Sequence, residues 1–416
     1  MRTQLNDEAM VAVEEPKTEC ALRIAFAVGG LYTEASGVGR IVCDLANALA
    51  RHSTPIDVYT AACGGQRTAS HMLNAPNRCF SFDGYWLGRL SISPALNHRL
   101  RRDLEQFDLI HNHSFWMMPN HYASKNAHRH SKPVVFTAHG VLEPWALGRS
   151  RWKKRIAGLW FQDRDLRQSA CIQVNSESEV KGIRDYGLRN NIAIIPNGVD
   201  LSVIDQSLDH ASGRGDLRSK YPELRDKKIC LFLSRLHEKK GLAHLIEAWS
   251  RIARDQAEWH LVIAGPDDGF EAEVRQRISG QPWSQSITLT GPLFGQDKYA
   301  ALAVADTFVL PSFSEGFSMA VLEAMACRLP VLISPGCNFP EVARTGAGIE
   351  VEPTVDATLD GLSELMQMSD SQRQAMGERG RRMIEGQYTW DRVAQQTIEL
   401  YRWLLGRAER PSCVLG

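Results

Sequence analysis

The sequence predicts an α/β protein built as two Rossmann-like domains facing each other across a cleft. Three observations predict it: short β-rich runs that alternate with helical patterns, a second such series after a polar break, and a length that exceeds one core. At 416 residues with 44% apolar content, the chain can bury two cores.

The elements follow in order. Residues 1–19 are acidic and polar and form an expected disordered head. The first series of strands is Leu22–Val28, Ile56–Thr60, Asp108–His111, Pro133–Ala138, Ala170–Val174 and Ile192–Ile195, spaced by helical patterns. Such alternation implies a parallel sheet with helices on both faces, and it sets a first domain at 20–203. Pro196-Asn197-Gly198-Val199-Asp200 and the Gly-, Asp-, Arg- and Ser-rich stretch after it carry turn chemistry, so 204–227 is expected as a linker. The second series, Lys228–Ser234, Trp259–Ala264, Ser286–Thr290, Thr307–Leu310, Pro330–Ser334 and Gly348–Val351, gives a second domain at 228–389. A last amphipathic pattern with Val393, Ile398, Tyr401, Leu404 and Leu405 predicts a closing helix within 390–416. Open α/β sheets bind ligands beyond the carboxyl ends of their strands, so the motifs at those ends should line the cleft.

Composition excludes several classes. The formal charge is zero and the isoelectric point is near 7.2, which argues against nucleic-acid binding by an overall field. Nine scattered cysteines without a C-x-x-C pair read as reduced thiols. No apolar run approaches 18 residues and the N-terminus has no signal-peptide pattern, so a cytoplasmic protein is expected.

The segment Ser312 to Pro330 is the most informative in the chain. The strand ending before Pro311 runs into a Ser-Glu-Gly turn, and a helix then starts near Ser318, a plausible N-cap, and ends at Pro330. Gly316 lets the turn approach a ligand, and the first helical N–H groups, around Ser318, Met319 and Ala320, favour an anion such as phosphate. Glu315 in the loop and Glu323 one turn inside the helix then face one ligand at two distances, suiting a sugar and a ribose. Arg235 and Lys240 lie where the first strand of the second domain hands over to a helix, and two cations there suit a diphosphate leaving group. Gly37 and Gly39 belong to a glycine-rich strand-to-helix turn without the G-x-G-x-x-G spacing of nicotinamide sites. His139 sits at a carboxyl strand end, while His111 and His113 serve either the site or hydrogen bonds within their loop.

Asp163-Arg164-Asp165 spells D-x-D but falls in a charged helix where its carboxylates have basic neighbours, so no metal site is expected. Arg149 to Gln162 combines five basic residues with Trp152, Trp160 and Phe161. It is either a membrane-touching basic helix or a surface helix packing its aromatics inward.

The Glu315-to-Glu323 segment resembles the E-x7-E motif of the retaining sugar-nucleotide glycosyltransferases of family 4, which have the two-domain GT-B fold. The likeness covers nearly all of the chain after residue 20. It implies that Glu323 holds the ribose hydroxyls, and that Glu315 with the backbone of Gly316, Phe317, Ser318 and Met319 holds the sugar. It also implies that Arg235 and Lys240 bind the diphosphate, as Arg followed five residues on by Lys-Gly does in the family. Gly37 and Gly39 would lie beside diphosphate and acceptor, and His139, in its Thr-x-His context, beside the donor sugar. Gly291 to Gly295, with Leu293, would read the base, either uracil or guanine. The resemblance further implies metal-independent, same-face transfer of a hexose from a UDP- or GDP-linked donor, and a closing helix that crosses back to the first domain. Thr137 to Leu147 looks like bacterial exopolysaccharide and lipopolysaccharide glycosyltransferases, which points to a glycan or lipid-linked acceptor at the inner face of the cytoplasmic membrane. The rival readings are a non-catalytic sugar-nucleotide-binding protein and another GT-B enzyme, a phosphorylase or epimerase. No cofactor-lysine motif of a phosphorylase is found.

Overall fold

The computed structural model describes residues 21–31, 37–64, 68–87, 90–140, 158–211 and 217–415. The expected disordered head lies outside them.

The first sheet has eight strands in the order β14-β7-β6-β5-β4-β1-β2-β3. They are β1 Ile24–Val28, β2 Ile56–Cys63, β3 Arg78–Gly84, β4 Leu109–His113, β5 Val134–Thr137, β6 Cys171–Val174, β7 Asn191–Ile194 and β14 Val414–Leu415. The second sheet has six parallel strands in the order β10-β9-β8-β11-β12-β13. They are β8 Lys228–Leu233, β9 Trp259–Ala264, β10 Ile287–Gly291, β11 Thr307–Leu310, β12 Val331–Ile333 and β13 Gly348–Glu350. This is the GT-B architecture.

All five residues of β1 are buried because both faces of the sheet are covered. Successive side chains point to opposite faces: Ile24, Phe26 and Val28 join one core cluster, Ala25 and Ala27 the other. The cluster on the Ile24 face includes the helix Gly37–Arg51 and, from the far end of the sequence, Trp390, Val393, Ile398 and Tyr401 of the helix Trp390–Leu404. Thr389 starts that last helix by accepting a hydrogen bond from the Arg392 amide. The chain then ends on β14, which pairs antiparallel with β7.

Three expectations need correction, and a fourth falls mostly outside the described residues. Strands β3 and β14 were not expected: β3 is a half-exposed edge strand, and β14 has only two residues. The stretch 204–227 is no plain linker, since the helix Leu201–Ala211 and the short turns after it bury Ile204, Leu217 and Leu224 in the second core. Residues 149–157 lie outside the described part, and Gly158–Gln162 form a π-helical turn that splits its aromatics, burying Phe161 while Trp160 stays 66% exposed. Finally, the helix after Glu315 runs Met319–Ala326 and stops four residues short of Pro330, while Ser318 holds the N-cap position without a side-chain cap bond. No described helix is long and apolar enough to cross a membrane.

Candidate active site

Lys240 and Glu315 come together at the carboxyl ends of β8 and β11. Gly241 makes this possible: its φ is +73°, and a Cβ there would fall 2.0 Å from the Pro311 carbonyl oxygen. The Lys240 turn therefore packs directly against the loop after β11, and the Phe313 amide donates to the Lys239 carbonyl at 2.8 Å. Lys240 Nζ then lies 2.5 Å from Glu315 Oε1, with 8% and 9% of the two side chains exposed. Ser312 Oγ donates to the same oxygen at 2.8 Å. The Glu315 backbone is pinned as well, its amide donating to the Gly336 carbonyl at 2.7 Å and its carbonyl accepting from Asn338 Nδ2.

Burial alone would raise the Glu315 carboxyl, but Lys240, Lys239 and the Ser312 hydroxyl outweigh it and hold the carboxyl below its ordinary range. Glu315 is therefore an ionised, hydrogen-bonded carboxylate with little freedom.

The other two charged residues singled out have partners of their own. Arg235 is 51% exposed and pairs with Asp268 at 2.5 Å. Asp268 belongs to the turn after β9. Glu323 pairs with Lys298 at 2.6 Å, both more than four-fifths buried. Lys298 stands on the helix Gly295–Val304, which follows the turn containing buried Leu293 and half-exposed Phe294. Sequence reasoning missed Lys298 because its link to Glu323 is made by topology, 25 residues apart, and has no local signature.

Glu323 also faces the first domain. Burial pulls the Arg40 guanidinium down, but the charge and hydrogen bond of Asp44, with a smaller contribution from Glu323, hold it above its ordinary range. Burial first, and then the Glu323 and Asp200 charges, push the Asp44 carboxyl up against the pull of Arg40. Arg40 and Asp44 lie on the helix that begins at Gly37, whose Cβ position is open, with Gly39 buried in its first turn.

His139 follows β5 with a left-handed φ of +51°, and Gly140 with +75°. His113 and His111 are not in a loop, as sequence suggested, but inside β4 and fully buried, because that strand is central. The three rings form a stack, with centroids 4.3 Å apart for His111 and His113 and 5.5 Å for His113 and His139. His113 Nδ1 lies 3.3 Å from His139 Nε2, and His111 is fixed by Tyr401 Oη and Thr137 Oγ1, each at 2.6 Å. Burial pulls His139 down to about 4, and burial with the neighbouring His139 pulls His111 to about 3. His139 is thus a neutral hydrogen-bonding group at neutral pH.

The two halves meet at a pair of glycines. A Cβ on Gly140 would sit 2.7 Å from Gly316 Cα, and one on Gly316 would sit 3.0 Å from Gly140 Cα. His139 and Glu315 therefore flank one point of contact between the domains. Toward the hinge the cleft holds a cavity of about 630 Å³ reached by Asn175, Phe317, Asn338 and Tyr388, and of the predicted site residues only Phe317 lines it.

The D-x-D carboxylates are occupied, though by other partners than expected. Asp163 accepts from Tyr186 Oη at 2.7 Å, and Asp165 pairs with His121 Nδ1 at 2.8 Å.

Comparisons with known proteins agree with the two-domain fold. The family described as Glycosyltransferase Family 4 matches residues 35–203, and Glycosyl transferases group 1 matches residues 214–383. The alpha-maltose-1-phosphate synthase of Mycolicibacterium smegmatis is 28% identical over 327 residues, covering 72% of this chain and 79% of its own. The O-antigen chain mannosyltransferase B of Escherichia coli is 30% identical over 179 residues, covering 42% of this chain and 45% of its own. Among solved structures, HepE of Anabaena in complex with UDP and glucose superposes with a TM-score of 0.70 at 17% identity, covering 91% of this chain and 99% of that one. With both domains matched and the two-sheet architecture in place, the chain belongs to glycosyltransferase family 4 and is a glycosyltransferase of the GT-B fold.

Proposed function

We propose that the protein is a retaining hexosyltransferase that takes a hexose from a UDP- or GDP-linked donor and passes it to a hydroxyl of a glycan or lipid-linked acceptor. The observation that carries this reading is the buried Lys240–Glu315 pair beside Gly316, set against the His139–Gly140 turn of the other domain. Glu315 accepts hydroxyl hydrogens of the donor sugar, and neutral His139 contacts the same sugar from the first domain. Arg235, Lys240 and the helix start at Ser318 and Met319 stabilise the charge that builds on the departing diphosphate. Glu323, steadied by Lys298, takes the ribose, and the backbone around Leu293 meets the base. Gly37 and Gly39 leave room for diphosphate and acceptor.

No second carboxylate is assigned as a nucleophile, and the family resemblance supports a same-face displacement in which the leaving phosphate helps to deprotonate the acceptor. The fixed cations and helix start supply the electrostatics a divalent ion supplies elsewhere, and the reading includes metal independence. The nucleotide of HepE and the name of the Escherichia coli relative support a sugar-nucleotide donor and surface-polysaccharide synthesis, and the reading includes a cytoplasmic location. Exposed Trp160 beside Arg164 supports a peripheral contact with anionic lipid, tested by flotation on anionic liposomes. The central test is donor-dependent nucleotide release from UDP- and GDP-hexoses by the wild type and Glu323→Ala. Release from one donor, lost in the variant, supports transfer and identifies the base, whereas binding without release favours a sugar-nucleotide sensor.

A further inference from the structure

Glu179 takes no part in the reading above, yet it is a buried carboxylate, 3% exposed, on the first turn of the helix Glu177–Asp185. Its ordinary role would be that of a helix cap. Ser176 holds the N-cap position without a side-chain cap bond, and Glu179 is the third helical residue, where a Glu or Gln folds back on the amides before the helix. One oxygen does this: the Asn175 amide donates to Oε2 at 2.6 Å. The other oxygen does something a cap does not need. Oε1 accepts from the Gly140 amide, 39 residues away in sequence and next to His139.

That amide belongs to a turn whose two residues, His139 and Gly140, both have positive φ, and whose glycine touches Gly316 of the opposite domain. A non-glycine residue at φ +51° persists only where its surroundings hold it. On one side the His139 ring meets His113 at 3.3 Å, and on the other the backbone is held by Glu179.

We infer that Glu179 is a positioning residue for the transfer reaction, one carboxylate that ties the start of its helix to the His139–Gly140 turn and so sets where His139 meets the donor sugar. The inference rests on the role of His139 in the proposed function.

Glu179→Gln separates the two jobs. Glutamine is accepted at this place in a cap, so the helix start is kept, but its single carbonyl oxygen serves only one of the two amides and its NH2 faces the other. We expect kcat to fall on the order of 10- to 100-fold from displaced His139, with the Kd for UDP and the Tm near wild type. In a His139→Ala background the same change should cost less than about twofold more, because both substitutions remove one function. The Gly140 amide should also exchange with deuterium on the order of tenfold faster in Glu179→Gln, a reading that needs no activity. An unchanged kcat, an equal loss in the His139→Ala background, or unaltered Gly140 exchange overturns the inference. A wild type that releases no nucleotide overturns the proposed function instead, and the exchange measurement still decides the role of Glu179 in the turn.

Discussion

Removing the Lys240 ammonium should disturb stability and turnover together, and the size of the effect follows from the site. At 2.5 Å and an effective dielectric near 20, the gross attraction between Lys240 and Glu315 is about 7 kcal/mol. Desolvation of two nearly buried charges costs several kcal/mol each, so the pair contributes little net stability. Taking away one partner is different, because Glu315 keeps its burial and loses its main counter-charge. Lys240→Ala should therefore destabilise the protein by about 3–5 kcal/mol. At about 2–4 °C per kcal/mol for a domain of this size, that is a Tm drop of roughly 6–20 °C.

The pH dependence gives a second sign. In the wild type the carboxyl is depressed, so its stabilising contribution is present above the unfolded value near 4.5 and is lost as pH falls through the folded value. In Lys240→Ala burial is no longer outweighed by cations, and acidification to pH 5 should narrow the stability gap to wild type. The double variant Lys240→Met/Glu315→Gln removes both charges of this pair and should recover most of the Tm while remaining inactive. Thermal unfolding of the wild type, Lys240→Met, Glu315→Gln and the double variant, with nucleotide release measured beside it, forms the cycle. A Tm change below about 1 °C in Lys240→Ala, or a double variant less stable than both singles, refutes the buried pair as the centre of the site.

Three further results are expected. If Glu323 holds the ribose as proposed, Lys298→Ala should raise the donor KM several-fold with little change in kcat, since a ribose contact is made equally in ground and transition states, and steady-state kinetics checks it. Because His139, His111 and His113 are held neutral below an ordinary value of 6.5, protons are taken up on unfolding. Stability should then fall as pH drops from about 6.5 toward 4, by up to about 1.4 kcal/mol per pH unit for each histidine, and His113→Asn should show a shallower fall in denaturant titrations. Gly140→Ala should lose more than tenfold in kcat and about 1–3 kcal/mol in stability, because its Cβ meets Gly316 at 2.7 Å and its φ is positive.

The double series of strands was legible because central parallel strands are buried on both faces and carry continuous apolar runs, as β1 and β9 do. Strand β3 was not, since an edge strand with Arg78, Ser81 and Asp83 among its residues looks like a loop in one dimension. Helix Leu201–Ala211 escaped for a related reason: its core contacts are few and spaced, and the glycines and charges around it resemble a linker. Residue types at strand ends were readable, so Glu315, Glu323, Arg235, Lys240 and His139 could be named. Their partners could not be, because Lys240 meets Glu315 across 75 residues and Gly140 meets Glu179 across 39. Such pairings depend on strand order, which local patterns do not encode.

Strand order also explains why the two halves of the site differ in electrical character. The second sheet brings Arg235, Lys239, Lys240 and Lys298 to its carboxyl edge around two glutamates, a surface that favours a donor carrying a negative diphosphate. On the first domain His139 is the ring at the surface of a histidine stack that burial keeps uncharged, with His111 and His113 wholly inside. A charged first half would compete for the diphosphate and hold the donor off the second. On the proposed reading, donor binding rests mainly on the second domain, and the first adds His139, whose turn already touches Gly316. Loss of His139 should accordingly lower kcat far more than it weakens UDP binding, while loss of Arg235 should weaken both.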